Sequence, residues 1–157
     1  MARITEKLFS LEGKTAPVTG AGGAIGRVLA RALAESGATI AIHDFDHDRL
    51  ASAKAFIEEA GGKDVTFKAD LTDAKACRSL VDEAQAALGR LDILLNSAGT
   101  NRRKPILEVT PEDFDAIIDV NLRSIYFLSQ AAQPHMAAQG GGKIVNISSL
   151  SAKHAFN

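Results

Sequence analysis

Eight consecutive residues, 19–26 (TGAGGAIG), form a run of small side chains between a short β-prone segment and an amphipathic segment. Small residues let a backbone approach a pyrophosphate, and the helix that follows directs its amides and the positive end of its dipole toward the phosphates. An acidic residue, Asp44, closes the next β-prone segment, where a carboxylate can accept hydrogen bonds from a ribose. This order of elements predicts a dinucleotide-binding site.

Three further groups of polar residues lie at the ends of β-prone segments or directly after them, namely 70–72 (DLT), 96–99 (NSAG) and 146–149 (NISS). Taken singly, each also fits ordinary turn chemistry, because aspartate and serine side chains bond to nearby backbone groups and cap helices. Asp44 likewise fits a solvated acid at a strand end, like Asp46 and Asp48. Both interpretations stay open at the level of single motifs.

The elements that must position these residues are short apolar strands separated by helices. Such runs are typical of strands buried on both faces of a parallel sheet. Helices are predicted before Gly37 and Gly89, from the cap at Thr110, and from about Asn121 to Gln139. Alternation of this kind predicts one α/β domain, 1–157, with a doubly wound parallel sheet whose strands are residues 15–19, 39–44, 65–69, 91–96 and 143–148.

Composition excludes several classes of function. With a formal net charge of −1 and a pI near 6.4, the chain has no general electrostatic attraction to nucleic acid or to anionic membranes. No apolar run approaches the roughly 20 residues that cross a bilayer. The one cysteine, Cys77, cannot form an internal disulfide and is predicted to be structural, so we expect a cytoplasmic protein. No metal site is predicted.

In order along the chain, these motifs resemble those of the short-chain dehydrogenases/reductases. The matching segments cover nearly the whole length: 13–14 (GK), 19–26, Asp44, 70–72, 96–99, Asn121 and 146–149. The resemblance implies a Rossmann-type fold with five of the family's usual seven strands, and a chain that is the N-terminal portion of such a protein. It also implies hydride transfer between a nicotinamide and a secondary alcohol or ketone.

The resemblance assigns most of the polar groups to the cofactor. Ala24 replaces the middle glycine of the family pattern, and Ser97 replaces its usual asparagine. Because Asp44 accepts from both ribose hydroxyls and repels an added phosphate, NAD is favoured over NADP. The implied cofactor residues are Gly20, Gly22, Gly23, Ala24, Ile25, Gly26, Asp44, Asp70, Leu71, Asn96, Ala98 and Gly99.

Two catalytic residues are implied by the same resemblance. Ser149 matches the serine that hydrogen-bonds the substrate oxygen, and Asn121 matches the asparagine that holds a water of the proton relay. The family's tyrosine and lysine fall beyond Asn157, and the one tyrosine, Tyr126, has no lysine four residues later. We therefore expect the 157 residues alone to be inactive or very slow.

A basic loop follows the NSAG segment. Paired arginines at Arg102 and Arg103 are similar to those of the gluconate dehydrogenase branch, and guanidinium groups bind carboxylates in a bidentate manner, which favours a sugar acid. A solvated loop or an intersubunit contact is the alternative. By resemblance we also expect a homo-oligomer, a dimer or tetramer, paired through the long helix after Asn121 and the helix that follows Ser149.

Two other functions are alternatives to hydride transfer. A non-enzymatic dinucleotide-binding or interaction module would need no tyrosine, whereas another Rossmann enzyme such as a methyltransferase would leave the NSAG and NISS segments without a role.

Two features of the sheet are also predicted. Pro17 lies in the central strand and should weaken it or force a bulge, and the fifth strand should present an exposed apolar edge.

Overall fold

A computed structural model describes residues 8–149, which contain a five-stranded parallel sheet. Each predicted strand is present, and the bounds differ by a few residues at most. The strands are β1 (Thr15–Thr19), β2 (Thr39–Asp44), β3 (Lys63–Lys68), β4 (Ile93–Asn96) and β5 (Lys143–Asn146). They lie side by side in the order β3-β2-β1-β4-β5. The order reverses direction beside β1, which places the carboxyl ends of β1 and β4 at the switch point where open α/β sheets bind ligands.

Five α-helices connect or follow these strands: α1 (Ala24–Glu35), α2 (His47–Glu58), α3 (Ala74–Leu88), α4 (Pro111–Ile118) and α5 (Ser124–Ala138). A 3₁₀ turn, Ile106–Glu108, precedes α4. The predicted start at Thr110 is correct: its hydroxyl accepts from the Asp113 amide, and the Asp113 carboxylate accepts from the Thr110 amide. The two expected helices are, however, continuous.

The junction between α4 and α5 is a π-helical segment, Asp119–Arg123. Neither glycine nor proline interrupts residues 112–133, so no residue there stops the helix. The Ser124 hydroxyl donates to the Val120 carbonyl at 2.6 Å, which satisfies one backbone acceptor inside the widened turn. Asn121 therefore lies within a helix and not at the start of one.

Helices cover both faces of the sheet. On one face α1 and α2 pack against β1 and β2 through a cluster that includes Val18, Ile40, Ile42, Leu50 and Ile57. On the other face α3 and α5 pack against β4 through a second cluster that includes Leu80, Leu94, Leu128 and Met136. This arrangement is the doubly wound α/β fold that the sequence predicts.

Cys77 lies inside the second cluster. Its side chain is fully buried, and its thiol donates to the Leu71 carbonyl at 3.3 Å. Burial raises the pKa of this thiol to about 11, so the reactive thiolate is disfavoured at neutral pH. The prediction of a structural cysteine agrees with this placement.

Pro17 fits the central strand without a bulge. β1 pairs with β2 in an unbroken register from Thr15↔Thr39 to Thr19↔His43. On the other side, pairing with β4 is confined to Val18↔Leu95 and Thr19↔Asn96. The amide of Thr15 points toward Asp92, so the nitrogen of Pro17, two residues on, faces β4 as well and has no hydrogen to donate. The missing amide shortens that ladder.

Asp92 secures the strand where the ladder is short. Its buried carboxylate accepts from the Thr15 amide at 3.0 Å, from Arg90 through two bonds of 2.6 Å, and from Lys14 at 3.3 Å. Burial alone would raise the pKa of Asp92, but these donors outweigh burial and hold the pKa below its usual value. Asp92 thus joins the beginnings of β1 and β4.

β5 forms one edge of the sheet within the described residues, and its four residues are exposed. Ile144, Val145 and, just after the strand, Ile147 present apolar side chains to solvent. This agrees with the apolar edge expected from the sequence. No helix among residues 8–149 combines the length and apolar character required to cross a membrane.

Replacing Asp92 by alanine should lower the free energy of unfolding by about 1–3 kcal/mol, because the Thr15 amide loses its acceptor and two cations lose their partner. Urea unfolding measures the effect. Asp115→Ala, an exposed acid on α4, is the matched control and should change stability little. An Asp92→Ala variant as stable as the parent would show that this carboxylate does not anchor β1.

The same carboxylate should make stability depend on pH. Its folded pKa lies below its unfolded value, so its contribution is present above the unfolded pKa near 3.8 and is lost as pH falls through the folded pKa. The stability difference between the parent and Asp92→Asn should therefore shrink on acidification below about pH 4. A difference that stayed constant down to about pH 2 would contradict this.

A candidate dinucleotide-binding cleft

The glycine loop is folded tightly against the neighbouring chain. Gly20 has φ +65°, and a Cβ there would lie 2.6 Å from the Ala98 Cα. A Cβ on Gly26 would collide with the carbonyl oxygen of Gly20, so the first turn of α1 packs directly on the loop. Close approach therefore requires glycine at both positions, and the positive φ favours it at Gly20 as well.

The loop leads into the exposed amino terminus of α1. Gly23 is the N-cap residue and supplies no side-chain cap, and the first turn contains no acidic residue. The amides of the first helical turn therefore remain available to an anion, which the helix dipole also attracts. Ala24 occupies the first helical position with an exposed side chain and a negative φ, so alanine fits the backbone here.

Thr19 links the loop to the segment after β4. Its buried hydroxyl oxygen accepts from the amides of Ser97 and Ala98, each at 3.2 Å. Thr19 begins the motif 19–26 but is not among the cofactor residues that the resemblance implies. A threonine at the end of a predicted buried strand, directly before the first glycine of the loop, is the sequence signal that could have found it.

Asp44 is turned toward the glycine loop and is 4% exposed. Its Oδ2 accepts from the Gly22 amide at 3.0 Å, and its Oδ1 accepts from the Asp46 amide at 3.1 Å. A carboxylate offers about four acceptor positions, so each oxygen retains capacity for a further donor. The side chain thus differs from the solvated acids Asp46 and Asp48, both of which lie in the turn that begins α2.

Around this loop lies a cleft of about 640 Å³, within the range of small-molecule sites. It runs along the carboxyl ends of the strands. Its walls include the predicted residues Gly20, Gly23, Ala24, Ile25, Gly26, Asp44, Asp70, Leu71, Ala98, Gly99 and Arg102. The fold therefore brings most of the candidate residues to one surface, from four separate loops.

Several predicted residues lie beside the cleft rather than on its wall. Gly22 bonds to Asp44, as described above, and Asn96 is buried beneath, with its Nδ2 donating to Asn146 Oδ1 at 2.8 Å. Asn121 holds the Thr100 backbone through two bonds, accepting from its amide at 2.7 Å and donating to its carbonyl at 2.8 Å. Ser149 is exposed and follows β5 at the same end of the sheet.

Asp70 also makes the turn contacts that the sequence allows. Its Oδ1 accepts from the Thr72 amide at 3.0 Å and from the Thr72 hydroxyl at 2.8 Å. The cap of α3 is Asp73, which accepts from the Lys75 amide at 2.8 Å. Asp70 is exposed and Leu71 is buried, and both contribute to the cleft wall.

His43, which the sequence analysis did not select, borders the cleft beside Asp44. Its Nε2 lies 3.0 Å from the Ala69 carbonyl, so this nitrogen carries the proton, and the buried Nδ1 has no partner among the described residues. Burial lowers the pKa of His43, although the Ala69 bond and the charge of Asp44 oppose this. The ring is neutral near pH 7. It is buried and lies between the cleft and the apolar core.

Phe45 and Arg49 complete the wall at the Asp44 end. Phe45 is exposed, and the Arg49 guanidinium carbon lies 6.0 Å from the centre of its ring. Arg49 also approaches Asp46, at 4.0 Å. This end of the cleft therefore combines the flat apolar ring of Phe45, the Asp44 carboxylate and the Arg49 guanidinium, whose charge Asp46 partly neutralises.

The basic loop lies at the other end, and its two arginines differ. The Arg102 guanidinium bonds to Asp113 Oδ1 at 3.2 Å and contributes to the cleft wall. Arg103 does neither; it makes no hydrogen bond or ion pair within residues 8–149. Lys104 bonds to the second oxygen of Asp113, and this bond, with that from the Thr110 amide, holds the pKa of Asp113 well below its usual value.

Comparisons with known proteins agree with this arrangement. A family model described as short chain dehydrogenase matches residues 14–157. Gluconate 5-dehydrogenase of Gluconobacter oxydans (strain 621H) is 39% identical over 148 residues, which are 94% of this chain and 58% of the relative. 2-Dehydro-3-deoxy-D-gluconate 5-dehydrogenase of Escherichia coli (strain K12) is 39% identical over 146 residues, 90% of this chain and 56% of the relative. The chain thus spans less than two thirds of either relative.

Solved structures show the same fold. A 7α-hydroxysteroid dehydrogenase complexed with NADH and 7-oxo glycochenodeoxycholic acid is 33% identical, with a TM-score of 0.90 over 99% of this chain and 60% of that one. A metagenomic short-chain oxidoreductase in complex with NADP is 37% identical, with a TM-score of 0.86 over 93% of this chain and 66% of that one. On its motifs, its sheet order and these matches, the chain belongs to the short-chain dehydrogenase family.

Proposed function

We propose that the chain binds NAD in the cleft and serves a dehydrogenase that interconverts a secondary alcohol and a ketone on a sugar acid. The buried Asp44 carboxylate, held against the glycine loop, is the observation that carries the choice of cofactor. When bound, the nicotinamide supplies the hydride donor or acceptor. The residues of this chain bind and orient the dinucleotide and the substrate.

The proposed pose follows from the two ends of the cleft. The uncapped first turn of α1 would hold the pyrophosphate, and the free acceptor positions of Asp44 would take the two ribose hydroxyls. Phe45 and Leu71 offer apolar surface to the adenine. A 2′-phosphate would meet the Asp44 charge, and the cation nearby, Arg49, already faces Asp46. Both features support NAD over NADP.

The substrate proposal is supported at the other end of the cleft. The positive charge of Arg102 on the wall fits a carboxylate, and two of the similar curated proteins are named as dehydrogenases of gluconate compounds. Asn121 fixes the Thr100 backbone and so shapes the wall between the cofactor and Arg102. Ser149 is proposed to hydrogen-bond the substrate oxygen.

We infer that these 157 residues bind the cofactor but turn over slowly. Proton transfer to or from an alcohol needs an acid or base whose pKa suits neutral pH. The sequence contains one tyrosine, Tyr126, which is exposed on α5 and stacks edge-on against Phe127 at 5.4 Å. Tyr126 does not contribute to the cleft wall, so its phenol is not placed to exchange a proton with a substrate there.

A homo-oligomer is proposed from an apolar stripe on α4, the π-helical segment and α5. Phe114, Leu122 and Tyr126 are 58%, 62% and 63% exposed. Surface of this kind is typical of an interface between subunits. Tyr126→Glu should shift the sedimenting species toward monomer, whereas Glu83→Gln on α3 should not. A parent chain that sediments as a monomer at high concentration would contradict the proposal.

The choice of cofactor is tested by titrating the protein into NADH or NADPH and following the fluorescence of the reduced nicotinamide, because the chain has no tryptophan. The parent should bind NADH more tightly. Asp44→Asn should weaken NADH binding about tenfold or more, since two charge-assisted bonds are weakened, and should reduce the discrimination against NADPH. Asp48→Asn removes an exposed charge four residues away and is the control. Tighter binding of NADPH by the parent would overturn the proposal.

The substrate class is tested by binding, because turnover is expected to be slow. With the chain saturated by NADH, D-gluconate and the neutral polyol D-sorbitol are titrated and followed by NMR. The parent should favour gluconate, and Arg102→Ala should remove most of that preference through loss of a charge-assisted pair. Arg103→Ala, outside the cleft wall, should retain more of it. Equal binding of both compounds by the parent would exclude a sugar-acid site.

A further inference from the structure

Asp113 receives an unusual number of donors for a side chain in the first turn of a helix. Its carboxylate is 4% exposed and accepts from Lys104, from Arg102 at 3.2 Å, and from both the amide and the hydroxyl of Thr110 at 3.2 Å. The bond from the Thr110 amide, together with the bond from the Asp113 amide to the Thr110 hydroxyl, forms the capping box of α4. The two cations come from outside the helix, so the capping box does not require them.

These cations join the basic loop to α4. Arg102 and Lys104 lie 11 and 9 residues before Asp113, on the segment that leaves β4 and crosses the cleft. One carboxylate balances only one of the two positive charges. Lys104 contacts Oδ2 and Arg102 contacts Oδ1 of this carboxylate. These three side chains therefore keep a net positive charge beside the cleft.

The Arg102 guanidinium is held through one of its nitrogens only. Its hydrogen bond to Asp113 uses Nη1, and its Nε and Nη2 make no other hydrogen bond within the described part of the chain. The residue contributes to the cleft wall, together with Gly99, Thr100 and Val120. A guanidinium fixed at one nitrogen loses less freedom on binding a carboxylate with the others.

We propose that Asp113 is a positioning residue for substrate recognition: it holds Arg102 at the cleft wall, while Lys104 offsets its charge so that Arg102 stays free to bind an anionic substrate. This inference rests on the proposed sugar-acid function. It also explains why two adjacent arginines, alike in sequence, differ in role. Arg102 is oriented by Asp113, and Arg103 has no such contact.

The test compares binding of D-gluconate with binding of D-sorbitol to the NADH-saturated chain. Asp113→Asn should reduce the gluconate preference about three- to tenfold, as the charged acceptor that orients Arg102 is lost. Binding of the neutral polyol should not change. In the Arg102→Ala background, Asp113→Asn should have no further effect on the ratio, because Asp113 acts through Arg102.

A control separates positioning from folding. Thr110→Ala removes the hydroxyl of the cap but leaves both loop cations on Asp113, so it should lower thermal stability and leave the ratio unchanged. An unchanged ratio in Asp113→Asn, or an equal drop in Thr110→Ala, would overturn the inference.

The two proposals fail in different ways. If the parent prefers gluconate and Arg102→Ala removes the preference while Asp113→Asn does not, the sugar-acid function stands and the role of Asp113 is wrong. If the parent shows no preference for gluconate over sorbitol, the sugar-acid function fails and the role of Asp113 fails with it.

Discussion

The close approach of the glycine loop to the chain beyond β4 is the constraint on which the cleft depends. Gly20 lies against the Ala98 backbone, the first turn of α1 packs on Gly20 through Gly26, and the Thr19 hydroxyl accepts from two amides of the NSAG segment. From the opposite side the Asp44 carboxylate accepts from Gly22. Three strand ends are thereby fixed relative to one another before any ligand binds, and the helix amides are left pointing into open space. A preformed site of this kind loses little freedom on binding.

The rest of the sheet supports this edge from below. Asp92 ties β1 to β4 at their beginnings, where Pro17 cannot contribute an amide, and the two apolar clusters hold α1, α2, α3 and α5 against the faces. The helix from Pro111 to Ala138 supports the Arg102 end of the cleft, because Asp113 and Asn121 each hold part of the loop 100–104. The end beside the glycine loop is thus fixed largely by close backbone packing, and the end at Arg102 by side-chain bonds.

That difference explains what could be predicted from the sequence. Buried strands and glycines that avoid collisions leave a local signature, so the strands, the doubly wound order and the loop at 19–26 follow from residue types. The continuity of the helix through Asn121 was missed, because a cap-like start and a long apolar run look like two helices. Asn96, predicted to border the cofactor, bonds to Asn146 beneath the cleft, and the difference between Arg102 and Arg103 depends on a carboxylate 11 residues away. Such pairings are decided by tertiary structure, which no spacing rule encodes.

A crystal structure of the chain with NADH is the most direct test of the central claim. The account predicts the pyrophosphate within hydrogen-bond distance of the amides at the start of α1 and both adenosine ribose hydroxyls on the Asp44 carboxylate. A dinucleotide bound elsewhere, or a ribose directed away from Asp44, would contradict it.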